Sequence, residues 1–334
     1  MRIAIITGLF IGTLFAYADI VPGEPPIGKN ATTFVVLPDT QNYSQHHPEI
    51  YEAQTRWIVE QKEKRNIAAV LHLGDITNTN APKEWEVAQK SMSLLDGQIP
   101  YFMAVGNHDY GPGGRSTTRE TPFNEYFPIS KIAKTKTFGG SYDKEPERSD
   151  NTYHLLEAAG RKWLIISLEF GPRNDVVRWA NEVVTKYPDR SVILITHAFV
   201  FSDGTRYDWK TKGKDQTWNP HSYGVAKLEG GVNDGEELWA KLVSKYPNFV
   251  MTINGHVLND GLGYLVTAGS AGQPVHQMLV NYQMLKNGGN GWLRLLEIQE
   301  DGKSVKVYDY SPTLKSTNTS PDNRFDFQLA SPME

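Results

Sequence analysis

Cysteine is absent from all 334 positions, which rules out both a disulfide framework and a thiolate metal cage. Any cation held by this chain must be held by His, Asp, Glu, Asn or Gln. Positive charge is not in surplus either: 34 Lys and Arg face 38 Asp and Glu, a formal net charge of −4, so the electrostatic footprint of a polymeric nucleic-acid binder is missing. No internal repeat and no biased tract is present. Hydrophobic residues at 39% and charged residues at 22% give the make-up of an ordinary globular chain, stabilised by its core and by any metal it binds. At this length a single large α/β unit is expected.

Only one long apolar run occurs, and it lies at the N-terminus. Arg2 supplies a basic start, Ile3 to Phe15 is apolar, and Ala16-Tyr17-Ala18 is a small-x-small cleavage pattern. Residues 1–18 are therefore expected to be a signal peptide, with the mature protein secreted or periplasmic. The run is too short to span a bilayer and no stop-transfer segment follows, so no membrane span is expected in the mature form. Loss of Arg2 leaves 33 basic residues against 38 acidic ones, a net of −5.

After a Pro/Gly-rich linker (19–32), short β-rich runs alternate with amphipathic segments. Strands are predicted at Thr33–Leu37, Ala68–Leu73, Tyr101–Val105, Trp163–Leu168, Ser191–Thr196 and Phe249–Ile253. Helices are predicted at Pro48–Arg65, Pro82–Leu95, Asp175–Lys186 and Gly235–Lys245. The first three strand ends recur at about the 30-residue interval of a strand-helix-strand crossover, which implies parallel pairing. Two long polar stretches, Gly111–Asp150 and Phe201–Gly231, interrupt the rhythm, and loops of that length in a compact domain tend to be functional. The text from Gly263 reads as strands and turns, and 313–334 reads as a C-terminal tail.

Chemistry-bearing residues sit in a consistent place: Asp39, Asp75, Asn107, His197 and His256 each follow or end an apolar strand. In an open α/β sheet those carboxyl ends line the ligand crevice, so oxygen and nitrogen donors from five segments are expected to converge. The local texts are Pro38-Asp39-Thr40-Gln41, Gly74-Asp75-Ile76-Thr77-Asn78, Gly106-Asn107-His108-Asp109, Thr196-His197 and Gly255-His256. In this order they resemble the calcineurin-like metallophosphoesterase family from about Thr33 to Pro312. The Asp-x-Gln start, with Val275-His276-Gln277-Met278 and Asn281-Tyr282-Gln283, looks like a branch of secreted bacterial members.

The resemblance implies a four-layer α/β sandwich, two mixed β-sheets flanked by helices, with two divalent or mixed-valence metal ions at one rim. Mn, Zn and Fe all suit mixed His, carboxylate and amide ligands. It further implies that Asn107, His197 and His256 hold one metal, that Asp39 and Gln41 hold the other, and that Asp75 bridges the two. Hydrolysis of a phosphomonoester or phosphodiester by a metal-activated water would follow, with His108 as proton donor and Asp109 orienting its ring. Two positions depart from the commoner family pattern, Gln41 and Leu258, where His is usual. The metal at Asp39 and Gln41 is therefore expected to be the weaker, with Asp260 or His276 as substitutes.

His276 also reads as a phosphate contact or as a hydrogen-bonded loop His, and Asn78 as a phosphate contact or a turn cap. His72 reads as core, His46-His47 as helix entry, and Glu169 as support for the site or a partner of Arg173. Aromatics of the long loops, among them Tyr110, Phe123, Phe127, Tyr207, Trp218 and Tyr223, read as pocket walls or as small satellite cores. A small phosphorylated substrate is expected, sugar- and nucleotide-bearing esters included. The alternatives are a non-catalytic metal- and ligand-binding module on the same fold, and a nucleotidase or nuclease.

Overall fold

The computed structural model describes residues 19–332, so the expected signal peptide lies outside the described residues. Strands alternate in which face they bury, and that alternation builds the layers. In β2 (Thr32–Leu37), Phe34 and Val36 face one core, whereas Val35 and Leu37 face another. The same division runs through β3 (Ile67–His72), with Ala69 and Leu71 on the first side and Val70 on the second. A strand covered on both faces reads as an almost unbroken apolar run, which is why these segments are so legible.

The first sheet has the order β1-β14-β13-β12-β2-β3-β4, with β15 also on β13. Its remaining members are β1 (Ile20–Pro22), β4 (Tyr101–Met103), β12 (Leu293–Ile298), β13 (Ser304–Ser311), β14 (Ser316–Asn318) and β15 (Arg324–Gln328). The second sheet has the order β10-β11-β9-β8-β7-β6-β5. It comprises β5 (Phe138–Ser141), β6 (Thr152–Ala158), β7 (Arg161–Ser167), β8 (Ser191–Ile195), β9 (Phe249–Asn254), β10 (Leu262–Ala268) and β11 (Pro274–Val280). Both sheets are mixed: β2, β3 and β4 run parallel, as do β7, β8, β9 and β11, and the other pairs are antiparallel.

Between the sheets lies a dry layer in which Phe34 meets Trp163 edge-on, ring centroids 5.2 Å apart, with Ile165, Ile193, Ile195 and Ile253 around them. The helices Pro48–Gln61 and Pro82–Met92 are the crossovers joining β2 to β3 and β3 to β4, and Asn174–Lys186 joins β7 to β8. Asn174–Lys186 buries Val176, Val177, Ala180, Val183 and Val184 at helical spacing. This is the two-sheet sandwich flanked by helices. No described helix is long and apolar enough to cross a membrane.

Both ends of the chain correct the sequence reading. The expected linker contributes β1 and the expected tail contributes β14 and β15, with Ile20–Pro22 paired to Asn318–Ser316. These strands are too short to show a period, and Pro22 is tolerated in β1 because that strand is at the sheet edge, where N–H groups are unpaired anyway. The loop Gly111–Asp150 carries two short helices and β5, whereas Phe201–Gly231 contains only 3-10 turns.

Candidate metal centre

Asp39 and Asp75 follow β2 and β3 in the first sheet, Asn107 follows β4, and His197 and His256 each stand two residues past the ends of β8 and β9. The carboxyl ends of parallel strands from both sheets thus open onto one place. One ligand atom from each of Asp75, His197 and His256 lies within 4.8 Å of the others, and all three residues are buried.

Backbone conformation is committed to this arrangement. Asp75 and His256 have φ of +46° and +77°, left-handed values that cost a non-glycine residue about 1–3 kcal/mol and are kept where surrounding contacts enforce them. Asp75 also needs a bare neighbour: a Cβ at Gly106 would collide with its N and Oδ1. At Gly255 an added Cβ would strike Asp39 Oδ1.

Hydrogen bonds fix which ring nitrogens are free. His197 Nδ1 donates to the Leu73 carbonyl at 2.8 Å, since a carbonyl only accepts, and this leaves Nε2, 3.1 Å from Asp75 Oδ1, to face a cation or, without one, to carry a second proton. Likewise His256 Nε2 donates to the Trp218 carbonyl at 2.7 Å, leaving Nδ1 as the ligand atom. Of the buried side-chain acceptors without a hydrogen-bond partner, three belong to the expected ligand residues: His197 Nε2, Asn107 Oδ1 and Gln41 Oε1. A buried acceptor without a partner costs about 1–3 kcal/mol, and three of them among the expected ligand residues are the mark of a cation site. The 3.1 Å separation suits two neighbouring ligands of one cation at about 2.1 Å from each.

Electrostatics agree. Burial disfavours the His197 imidazolium, yet the Asp75 and Asp39 carboxylates outweigh burial and raise its pKa to about 9. Burial also opposes ionisation of Asp75, but the His197 and His108 rings beside it hold the carboxyl below its ordinary value. For His256, burial and the His197 charge together lower the pKa to about 3, which keeps the ring neutral and able to ligate. The pocket as built prefers positive charge next to Asp75.

Asp39 is held differently. Its Oδ2 accepts from His256 N at 3.0 Å, Asn281 Nδ2 at 2.9 Å and Gln283 Nε2 at 3.1 Å, and Oδ1 accepts from His256 N at 3.2 Å. Burial pushes its carboxyl well above the usual range, His197 opposing and Asp75 reinforcing the shift. The sequence reading gave Asn281 and Gln283 no role at the site, although a polar pair directly after the apolar β11 is the same signal that marked the other five. Gln41 Nε2 donates to Asn78 Oδ1 at 3.0 Å, which turns Oε1 to the unpartnered side.

His108 is half-buried at the rim of this cluster. Its backbone N–H donates to Asp75 Oδ1 at 2.9 Å, and its Nδ1 donates to the Asn78 carbonyl at 2.7 Å, so a second proton at Nε2 is the transferable one. Asp109 does not orient this ring. Its carboxylate is filled by the backbone N–H groups of Gly106, Ile76 and Thr77 and the Thr77 hydroxyl, so it braces the loops beneath the site. Orientation of His108 falls to Asn78, through a backbone carbonyl that sequence alone does not reveal.

His276 is corrected as well. It pairs in register with Met251, five residues before His256 and roughly 16 Å back along the strand, where its ring meets Phe327 and its nitrogens meet Tyr264 OH and the Gln328 carbonyl. Asp260 is exposed and caps Leu262 N, so neither residue replaces the imidazole missing at Leu258. His72 is core, its Nδ1 accepting from Gly74 N and its Nε2 meeting Thr40 Oγ1 and Tyr51 OH. Glu169 pairs with Arg173 at 2.9 Å and Arg119 at 3.3 Å. The loop aromatics divide: Tyr110, Phe123 and Phe127 belong to the core, whereas Tyr207 and Tyr223, with Phe170, ring His256 at centroid distances of 5.2–6.1 Å.

Residues 32–260 match the family model for calcineurin-like phosphoesterases. The chain belongs to that family. Membership implies a dinuclear metal centre, for which the donor set around Asp75 fits. Among curated proteins, the uncharacterized protein YvnB of Bacillus subtilis is 32% identical over 311 residues, 90% of this chain. This phosphoesterase chain spans about one fifth of that relative, 21% of its length. Among solved structures, a dimetal phosphatase from Danio rerio is similar with a TM-score of 0.53 at 12% identity, covering 90% of this chain and 100% of that one. That likeness speaks for the shared fold.

Proposed function

We propose that this protein is an exported, metal-dependent phosphoesterase that hydrolyses a small phosphomonoester or phosphodiester. The observation that carries the proposal is the meeting of bare His197 Nε2, unpartnered Asn107 Oδ1 and the Asp75 carboxylate in one buried cluster. Bound metal would supply an activated water and neutralise charge on the phosphoryl oxygens. Asn107, His197 and His256 would hold one ion, Asp39 and Gln41 the other, and Asp75 both.

The chain's own residues supply the remainder. His108, steadied at Nδ1 by Asn78, holds a proton at Nε2 for the leaving oxygen, a contribution worth about 10²–10⁴-fold in rate. Tyr223, half-buried beside His256 and backed by the buried Phe170 and Tyr207, gives that side of the site an aromatic surface against which the organic part of an ester can pack. Asn78 acts through its carbonyl and through Gln41, a positioning role in place of the expected phosphate contact.

The test is to strip the purified protein of metal, restore Mn, Zn or Fe singly, and assay aryl monoesters and diesters alongside His108→Ala. Metal-dependent turnover is expected, with His108→Ala binding normal amounts of metal and turning over at least a hundredfold more slowly. Saturation of Asp39 by three N–H donors, together with Leu258, favours a second reading, a metal- and ligand-binding module without turnover. Absence of turnover with every metal, while metal and ligand still bind, would establish that reading instead.

A further inference from the structure

A cavity of about 690 Å³ opens between the two sheets, bounded by the edge strand β4 on one side and by β6, next to the edge strand β5, on the other, and roofed by the helix Ile129–Ile132 with the segment that follows it. None of the residues proposed above for metal binding or proton transfer lines it. Its volume falls in the range of roughly 300–1,000 Å³ that encloses a small-molecule ligand. The chemistry of the lining is divided by depth. Ile99, Phe102, Met103, Phe123 and Phe127, all buried, form an apolar interior.

At the mouth the character changes to positive charge. Lys131 pairs with Asp96 at 2.6 Å, whereas Lys134 and Lys136 are exposed and make no ion pair among the described residues. One polar group interrupts the wall. His154, 3% exposed, stacks on Phe102 at 4.3 Å, its Nε2 lies 3.2 Å from Thr152 Oγ1, and its Nδ1 has no partner at all. Burial lowers its pKa to about 3, so the ring is uncharged at neutral pH.

We propose that this cavity binds a single-chain amphiphilic carboxylate, with its hydrocarbon body against Phe102, Phe123 and Phe127 and its acid group between Lys134 and Lys136. Charge complementarity selects the head group. A pure hydrocarbon would leave both free lysines unused.

The full-length, metal-loaded protein would be titrated calorimetrically with decanoate, decanol and decyltrimethylammonium, each below the concentration at which it aggregates. The same titrations would use Lys134→Glu/Lys136→Glu, whose exposed positions leave the fold intact, and Ile132→Trp, which narrows the mouth. Saturable one-to-one decanoate binding is expected, weakened about tenfold for decanol and for the charge-reversed pair. The cationic probe should not bind, Ile132→Trp should block decanoate, and phosphoester turnover should be unchanged in both variants. No saturable decanoate binding, equal affinity for the three head groups, or equal affinity of the charge-reversed pair would overturn the proposal. Decanoate uptake only above its aggregation concentration would do so too, since it would mark adsorption to a lipid surface.

Discussion

Replacing Asp75 by Asn preserves the shape of the side chain and removes one negative charge from the middle of the cluster. The residue is 1% exposed, so solvent does little to screen the change. Its carboxylate is the leading opposite charge behind the rise of His197 to about 9, a shift worth roughly 3 kcal/mol in favour of positive charge at that spot. A divalent cation there loses at least as much, so metal affinity should fall by about a hundredfold or more. The fold should survive, because an Asn oxygen in the place of Oδ1 can still accept from His108 N, and from the His197 ring when Nε2 carries a proton. Elemental analysis after dialysis, calorimetric Mn titration and circular dichroism would read these three outcomes. The metal-free wild type carries a further sign. His197 is raised above its unfolded value, so its contribution is full below about pH 6.5 and is lost as pH rises through about 9, a dependence Asp75→Asn should lack. An Asn variant that retained wild-type metal content, or that lost its metal and kept its rate, would refute the reasoning.

Gln41→His should strengthen the weaker metal position, read as a second equivalent of metal retained through dialysis, because imidazole ligates transition metals more strongly than a carboxamide oxygen. Glu169→Gln should cost about 1–3 kcal/mol in urea denaturation, since it weakens charge-assisted hydrogen bonds in a buried cluster while Arg173 keeps Glu145 and Arg119 keeps its backbone carbonyls. Its rate should fall as well, because Arg119 also binds the carbonyl of Phe170, whose ring packs on His256. His154 has the opposite pH sign to His197: the unfolded chain takes up its proton below about pH 6.5 and the folded chain only near pH 3. Its share of stability, about 1.4 kcal/mol per pH unit, should therefore be lost as pH falls through that window, and His154→Phe should reduce the overall slope by that share.

What was legible in the sequence is what burial writes into it. β2, β3, β8 and β9 are covered on both faces, so they read as apolar runs, and a polar residue at the end of each run then stands out. The illegible parts have other causes. β6 begins Thr152-Tyr153-His154 with polar groups buried at its start, so no alternation betrays it, and its hairpin to β7 turns at Ala159-Gly160 without a strong turn signature. β1 and β15 are marginal strands whose residues are mostly exposed, and β14, held between β1 and β13, is only three polar residues long. Asp109 was misassigned because adjacency in sequence suggested a contact that the 3-10 turn at Asn107–Asp109 directs elsewhere, toward the backbone of Gly106, Ile76 and Thr77.

The departures at Gln41 and Leu258 are better understood from Asp39 than from the residues themselves. Leu258 offers no donor atom, and His276 and Asp260 stand elsewhere, so nothing replaces that imidazole as a ligand. What fills the neighbourhood instead is a pair of amides, Asn281 and Gln283, whose N–H groups point at Asp39 Oδ2. An N–H donor competes with a cation for the same lone pair, so the Asp39 half of the centre is already partly satisfied. The half formed by Asn107, His197 and His256 has bare acceptors that no protein group satisfies. Such unequal halves bind metal unequally. Asn107, His197 and His256 would hold the stronger ion beside Asp75, while the Asp39 carboxylate is held in place by Asn281 and Gln283 through hydrogen bonds that need no second ion.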